Sequence, residues 1–238
     1  MSFLRIIIVG VVCLAGCSTI AVDPSPPPDA LSFAPAVTLR VCILRDITLA
    51  PADARAIMAS LKTRFSPYGL ALEFPWMRDW QRPAFRHAGI LEDITRRPLE
   101  APCDRLLAFV GRDARDFMWG VFLPEVLGAV ETRTHAKGYV VAQTGSFNQV
   151  LAFTPPREAA AHELFHMLGI NHDEETAAAL RRMARIRQLA LENRRAGRDF
   201  FPAVASNGTV YHTRRAVDRR FGIVPAQTCL AQAGGDRC

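Results

Sequence analysis

Lysine is almost absent from the sequence: Lys62 and Lys137 are the only two, so nearly all of the positive charge is arginine. The net charge is +6, with the arginines spread along the chain rather than gathered in one basic run. Trp and Tyr, two of the residue types that stack on nucleic acid bases, are also few, with three of each. Nucleic-acid-binding proteins usually combine a basic patch with a recognisable motif. The sequence therefore predicts no nucleic acid partner, while attraction of the arginines to an anionic membrane surface stays open.

The N-terminus has no apolar run long enough to span a bilayer comfortably, which takes about 20 residues. Arg5 is followed by a shorter apolar segment, residues 6–16, which is typical of the hydrophobic part of an export signal. The segment ends in LAGC, residues 14–17, which resembles a bacterial lipobox. This resemblance implies that residues 1–16 are a lipoprotein signal peptide and that Cys17 is acylated as the first residue of the mature chain. The alternative is an ordinary signal peptide or N-terminal anchor with incidental cysteines.

The residues after Cys17 imply a location. Ser18 follows the cysteine and the first acidic residue is Asp23, a pattern that in Gram-negative lipoproteins implies sorting to the outer membrane, facing the periplasm. Residues 17–35 are rich in proline, which prevents regular helix and strand formation, so we predict a stiff tether. Residues 36–238, roughly two hundred in number, are enough for one domain with a sizeable core.

Cysteine pairs with C-x-x-C spacing are absent from this predicted domain, which argues against a zinc knuckle or a dithiol redox site. Its four cysteines are Cys42, Cys103, Cys229 and Cys238. An even number of cysteines in an exported chain favours two disulfide bonds over metal ligation. Four cysteines allow three pairings, so the count alone leaves the connectivity open.

Apolar periodicity predicts strands and helices in alternation. Runs rich in branched or alternating apolar residues predict strands at residues 37–46, 70–74, 105–111, 126–132 and 138–144. Helical periodicity predicts helices after Pro51, around 89–95, from 155 or 156 to Gly169, and at 174–196. A strand–helix–strand unit favours parallel pairing, and the last two strands form a hairpin-like pair. We expect an α+β fold with a mixed, mostly parallel sheet, followed by a helical, loop-rich C-terminal part.

Three of the six histidines lie in the sequence HELFHMLGINH, residues 162–172. His162 and His166 are four residues apart, so on a helix their side chains lie on one face and reach the same metal ion. Gly169 allows the left-handed turn that ends a helix, after which His172 approaches the same metal. Three neutral imidazoles leave one tetrahedral position for water, which is the arrangement of a catalytic Zn²⁺ site.

Glu163 follows the first histidine and is turned by about 100° around the helix axis. It can therefore reach a water molecule at the metal without being a ligand itself. Zinc lowers the pKa of such a water toward about 7 and polarises a carbonyl oxygen. We expect Glu163 to be the general base, which takes the proton of the metal-activated water and passes it to the leaving amine.

The sequence HELFHMLGINH resembles the extended zinc-binding sequence HExxHxxGxxH of the metzincin metallopeptidases. The resemblance implies a five-stranded mixed sheet with two long helices, of which the second carries the zinc ligands. Carried over by position, the ligands are His162, His166 and His172, and the general base is Glu163. The antiparallel edge strand would lie near residues 127–132 and pair with an extended peptide or an unfolded protein as substrate.

One feature departs from the metzincin pattern. Metzincins have a methionine in a tight turn under the zinc, whereas the only methionine after His172 is Met183, inside a predicted helix. Either that helix begins later than predicted, or this chain lacks the methionine turn. Tyr211 is a candidate for stabilising the oxyanion, and Asp173 is an alternative third ligand, although the spacing favours His172.

Taken together, the motif and the N-terminus predict a lipid-anchored zinc endopeptidase of the bacterial cell envelope. One alternative is a catalytically inactive binding protein on a metzincin fold, although such a scaffold has no need of Glu163. A second alternative is a zinc hydrolase that acts on cell-wall peptides, although the sequence offers no wall-binding module.

The resemblance also implies a disulfide connectivity that can be tested. Cys42 lies in the first predicted strand and Cys103 just before the third, and these strands are neighbours in the metzincin sheet. We expect non-reducing peptide mapping to yield the linked pairs Cys42–Cys103 and Cys229–Cys238, with the reduced protein as control. A peptide that joins Cys42 to either C-terminal cysteine would contradict this pairing.

Overall fold

The computed structural model describes residues 35–84, 86–112, 126–143, 155–172 and 174–223. The predicted signal peptide, the predicted lipidation site Cys17 and all but the last residue of the predicted tether lie outside this part of the chain. Asp173, Cys229 and Cys238 also lie outside it. None of the helices described is both long enough and apolar enough to cross a membrane.

The strands and helices alternate through the first part of the described chain. In order they are β1 (Val37–Asp46), α1 (Pro51–Phe65), a 3₁₀ turn (Ser66–Tyr68), β2 (Leu70–Glu73), β3 (Met77–Trp80), α2 (His87–Arg96), β4 (Arg105–Val110), β5 (Gly128–Val130), β6 (Lys137–Val141), α3 (Pro156–Met167), α4 (Thr176–Arg195), β7 (Ala203–Val204), β8 (Val210–Tyr211) and α5 (Arg214–Arg220).

One mixed sheet forms the centre of the fold, with the strand order β2–β1–β4–β6–β5. Neighbouring strands run parallel except β5, which is antiparallel to β6 at the edge. β3 also runs parallel to β1 but pairs with residues 43–46, beyond the residues that pair with β2. The sheet is therefore five strand positions wide, because β2 and β3 share one side of β1. The predicted mixed, mostly parallel sheet in an α+β fold is confirmed.

The sequence pattern missed β3, within a segment predicted to be irregular apart from one short helix. Its four residues have no apolar alternation: Arg78 and Asp79 are exposed, and only Trp80 is buried. The strand forms because β1 is longer than β2 and leaves its second half free to pair on that side. The hairpin of β7 and β8 and the helix α5 likewise lie in the part predicted only as loop-rich.

Side chains alternate between two core layers on opposite faces of the sheet, as a strand requires. In β1, Val41 and Ile43 belong to the first layer, and Cys42 and Leu44 to the second. Helices α1, α3 and α4 cover the first face, and α2 and α5 cover the second. The helix that carries two of the motif histidines, α3, thus lies on the first face, where it packs against β5 and β6.

A disulfide joins Cys42 to Cys103 in the second layer, with the two Cα atoms 5.6 Å apart. Cys103 comes two residues before β4, which pairs directly with β1, and both cysteines are buried. This confirms the expected pairing of these two residues.

The buried guanidinium of Arg105 ties the sheet to α3 and to the chain after α4. Its Nε donates to the carbonyl of Met167 at the end of α3 (3.1 Å), and its Nη2 donates to the carbonyl of Pro202 (2.7 Å). Its Nη1 donates to the carbonyls of Asp104 and Phe201. Burial lowers the pKa of Arg105 to about 10, so the side chain still carries its charge at neutral pH. A buried charge requires such partners, and here backbone carbonyls provide them.

We expect Arg105→Met to lower the free energy of unfolding by about 3 kcal/mol or more, because it leaves several buried carbonyls without a donor. Arg96→Met is the matched control, since that side chain is 75% exposed and pairs with Glu92 on its own helix. The control should change stability by less than about 1 kcal/mol. Urea unfolding with the disulfide intact measures both, and equal losses for the two variants would contradict the role assigned to Arg105.

Candidate functional site

Helix α3 brings the first two histidines of the motif together. It begins after Pro155 with Pro156 at its first position, where the missing amide hydrogen costs nothing. His162 and His166 follow four residues apart and half-buried, so their rings extend from one face of the helix. The residues between and before them, including Leu164 and Phe165, are buried in the first core layer and fix the orientation of the helix.

The turn that ends α3 is built around Gly169, which has a φ of 76°. The amide of Gly169 donates to the carbonyl of His166 (2.8 Å), and the amide of Ile170 donates to the carbonyl of Phe165 (3.1 Å). These two bonds define a Schellman motif, whose left-handed residue is usually glycine because a side chain there is strained. The chain reverses at this turn, which returns His172 to the two histidines of the helix, as the sequence predicts.

The three imidazoles form a compact group. One ring nitrogen from each of His162, His166 and His172 lies within 4.8 Å of the others. The Nε2 atoms of His162 and His166 are 3.0 Å apart. Two nitrogens bound to one tetrahedral zinc ion lie about 3.3 Å apart, given zinc–nitrogen bonds of about 2.0–2.1 Å. The donor set therefore fits a zinc ion, and so does the spacing of the His162–His166 pair.

The ionisation of the histidines also suits metal binding, which requires neutral imidazoles. Burial, together with the neighbouring His166 and His172, lowers the pKa of His162 to about 4. Burial likewise lowers the pKa of His166. Nδ1 of His166 is 2.7 Å from the carbonyl of Ile170, which can only accept, so Nδ1 carries the ring proton. The lone pair of His166 therefore lies on Nε2, the atom that faces His162.

Glu163 lies beside this group and is 5% exposed. Its Oε2 is buried and has no hydrogen-bond partner in the part of the chain that the structure describes. Burial raises the pKa of Glu163 to about 8 in the protein alone. A divalent cation nearby favours the charged carboxylate and opposes this effect. A buried carboxylate oxygen without a protein partner is what a general base for a water molecule requires.

The edge strand β5 passes directly over Glu163. Leu127 accepts from the amide of Val141 and Glu131 donates to the carbonyl of Lys137, so alternate residues of this strand pair with β6. The intervening residues, Gly128 and Val130, consequently direct their backbone N–H and C=O groups away from β6. No strand in the described residues pairs with this side of β5.

His135 and Ser206 lie close to the turn at Gly169, and sequence reasoning assigned neither to the site. His135 has a φ of 57°, is 5% exposed, and has its Nε2 3.1 Å from the hydroxyl of Ser206. Its Nδ1 would be 3.5 Å from a Cβ placed on Gly169. Burial lowers the pKa of His135 to about 4, so this ring is neutral at physiological pH. These contacts bring the β5–β6 connection and the segment after β7 against the turn at Gly169.

Two residues considered from the sequence lie elsewhere. Met183 is buried in the middle of α4, so it occupies a helix rather than a turn below the histidines. Tyr211 packs against the second core layer, on the face of the sheet opposite to α3. The helix containing Met183 begins at Thr176, close to the predicted position. Met183 therefore cannot form a methionine turn in this chain.

Comparisons with known proteins give similarity to solved structures but no match to a family model or a curated protein. No family model matches the sequence, and no curated protein matches it. Among solved structures, the crystal structure of archaemetzincin from Methanopyrus kandleri at 1.5 Å resolution aligns with a TM-score of 0.43 and 16% sequence identity. The alignment covers 65% of this chain and 96% of the archaemetzincin chain.

We expect the purified protein to bind one zinc ion per chain, and His166→Ala to weaken this binding by more than about 100-fold. Loss of an outer-shell partner alone typically costs roughly 10–100-fold, and His166 is a direct ligand candidate. Metal analysis after dialysis against a chelator of known affinity measures the change. His212→Ala is the control, because its Nδ1 contacts Asn193 in the C-terminal part of the chain (2.8 Å). Full zinc content in His166→Ala would refute the assignment.

Proposed function

We propose that this protein is a zinc-dependent endopeptidase, with His162, His166 and His172 as zinc ligands and Glu163 as general base. The observation that carries this proposal is the convergence of three imidazole nitrogens within 4.8 Å, beside a buried carboxylate oxygen that has no partner among the described residues. A site that only binds zinc for structural reasons usually closes the metal with four protein ligands. Three ligands and an adjacent base are instead suited to hydrolysis.

The edge strand supports a peptide as substrate. Gly128 and Val130 offer outward-facing backbone donors and acceptors next to Glu163, so an extended peptide can add to the sheet as a further strand. Pairing of this kind holds the peptide backbone in a fixed register along the cleft, because every second residue is bonded. Backbone pairing depends little on the substrate's side chains, which is consistent with action on unfolded protein segments.

The chemistry divides between the metal and the chain. Zinc bound by the three histidines supplies a Lewis acid that polarises the peptide carbonyl and lowers the pKa of water toward about 7. Glu163 accepts a proton from the attacking water at its carboxylate and then donates that proton to the nitrogen of the leaving amine. The buried position of Glu163 keeps this carboxylate away from bulk water.

We also propose that the peptidase acts in the bacterial cell envelope, held by a lipid on Cys17 with the outer membrane as its site. The support is the lipobox-like LAGC sequence after a short apolar segment, followed by the proline-rich residues of the tether. The disulfide between Cys42 and Cys103 is consistent with export, because such bonds persist in oxidising compartments.

We expect Glu163→Gln to abolish peptide cleavage while zinc binding and folding stay nearly intact. General acid–base catalysis contributes roughly 10²–10⁴-fold in rate, and the amide cannot accept the proton of water. The measurement is turnover of an unstructured protein such as casein, by wild type and variant at matched zinc content. Glu158→Gln is the control on the same helix, since Glu158 pairs with Arg64 instead.

Retention of more than about a tenth of the wild-type rate by Glu163→Gln would show that Glu163 is not the base. If neither the wild type nor Glu158→Gln cleaves any unstructured substrate, the peptidase proposal fails, and a binding protein on the same fold becomes the better interpretation.

A further inference from the structure

Gly128 faces Glu163 across a gap that no side chain could occupy. A Cβ atom placed on Gly128 would lie 2.5 Å from Cγ of Glu163 and 2.6 Å from both Cδ and Oε1. These separations are well below the van der Waals contact between carbon atoms, which is about 3.5–4.0 Å. Any larger residue at position 128 would therefore displace the carboxylate by about 1 Å or push the strand away.

The backbone of Gly128 does not itself require glycine. The glycines with positive φ are Gly69, Gly169, Gly197, Gly208 and Gly222, and Gly128 is not among them in the described chain. An L-residue could adopt the backbone conformation of an extended strand at this position without strain. What the site needs from this residue is therefore the absence of a side chain, which leaves room for the carboxylate.

Glu163 has little freedom to move aside. It is 5% exposed. Its helix, α3, also packs closely against β6, where a Cβ atom placed on Gly138 would lie 3.1 Å from Cε of Met167. The neighbouring Leu164 is fully buried in the first core layer. Withdrawal of α3 from β5 would thus disturb contacts with β6 and the core at the same time.

We propose that Gly128 is a positioning residue for the general base. Because Gly128 has no side chain, the Glu163 carboxylate can lie directly behind the edge of β5 that pairs with the substrate. This inference rests on the proposed peptidase function. Gly128 also presents its own N–H and C=O groups at the open edge of β5. This one residue therefore contacts both the substrate backbone and the general base, and so sets the distance between them. Because of this close contact, the position of β5 relative to α3 determines the rate of turnover.

The test is Gly128→Ala, measured for zinc content, kcat and KM on an unstructured protein substrate. We expect one zinc per chain, KM close to that of the wild type, and kcat lower by roughly 10–100-fold, the scale on which a 1 Å misplacement acts. Ala71→Val is the control: Ala71 is an exposed residue of β2, at the sheet edge opposite to β5. An unchanged kcat, or a higher KM with the wild-type kcat, would overturn the proposal.

A double-mutant cycle of unfolding stability gives a second measurement that does not depend on activity. Gly128→Ala should lower the urea midpoint in the wild-type background but not in Glu163→Ala, which lacks all three atoms that the new methyl group would meet. Equal losses in the two backgrounds would contradict the steric coupling. If the wild type cleaves no substrate, the peptidase function and the positioning role of Gly128 in turnover both fail. The stability measurements still report whether Gly128 makes room for Glu163.

Discussion

Three imidazole rings meet in this protein because the chain reverses at Gly169. The left-handed backbone of that residue allows the paired bonds from Gly169 and Ile170 that end α3, and it directs the following residues back toward the helix. The same turn places the carbonyl of Ile170 2.7 Å from Nδ1 of His166, which fixes the ring's tautomer and orientation. One backbone feature thus ends the helix, brings His172 close to the other two histidines, and directs the lone pair of His166 Nε2 toward His162.

The position of this turn depends in turn on contacts with the rest of the fold. Arg105 bonds the carbonyl of Met167, two residues before Gly169, and also the chain at Phe201 and Pro202. On the other side, Gly128 and Gly138 let β5 and β6 approach α3 closely. The C-terminal end of α3 is therefore held by the buried charge of Arg105, and its length is held by close packing against β5 and β6, which the two glycines allow. Site geometry and core packing are for this reason difficult to change independently.

The sequence allowed the local part of the site to be predicted and left out the part made by distant residues. The spacing of His162, His166, Gly169 and His172 carries its own geometry, because helical periodicity and a glycine turn decide where those side chains point. Gly128 becomes informative only when β5 is known to lie against Glu163, a contact between residues 35 positions apart in the chain. Apolar periodicity likewise predicted the long strand β1 but not β3, whose exposed Arg78 and Asp79 give no strand pattern. The buried role of Arg105 was equally hidden, since its partners are backbone carbonyls, which have no signature in the sequence.

The central claim is that the three-histidine group becomes a peptidase when it holds zinc. The most direct measurement is a titration of zinc into chelator-treated protein while the cleavage of an unstructured protein is followed. Our interpretation predicts that activity is lost on chelation, rises in proportion to added zinc and reaches its plateau at one zinc ion per chain. Cleavage that survives complete removal of the metal, or a fully zinc-loaded protein that cleaves nothing, would contradict it.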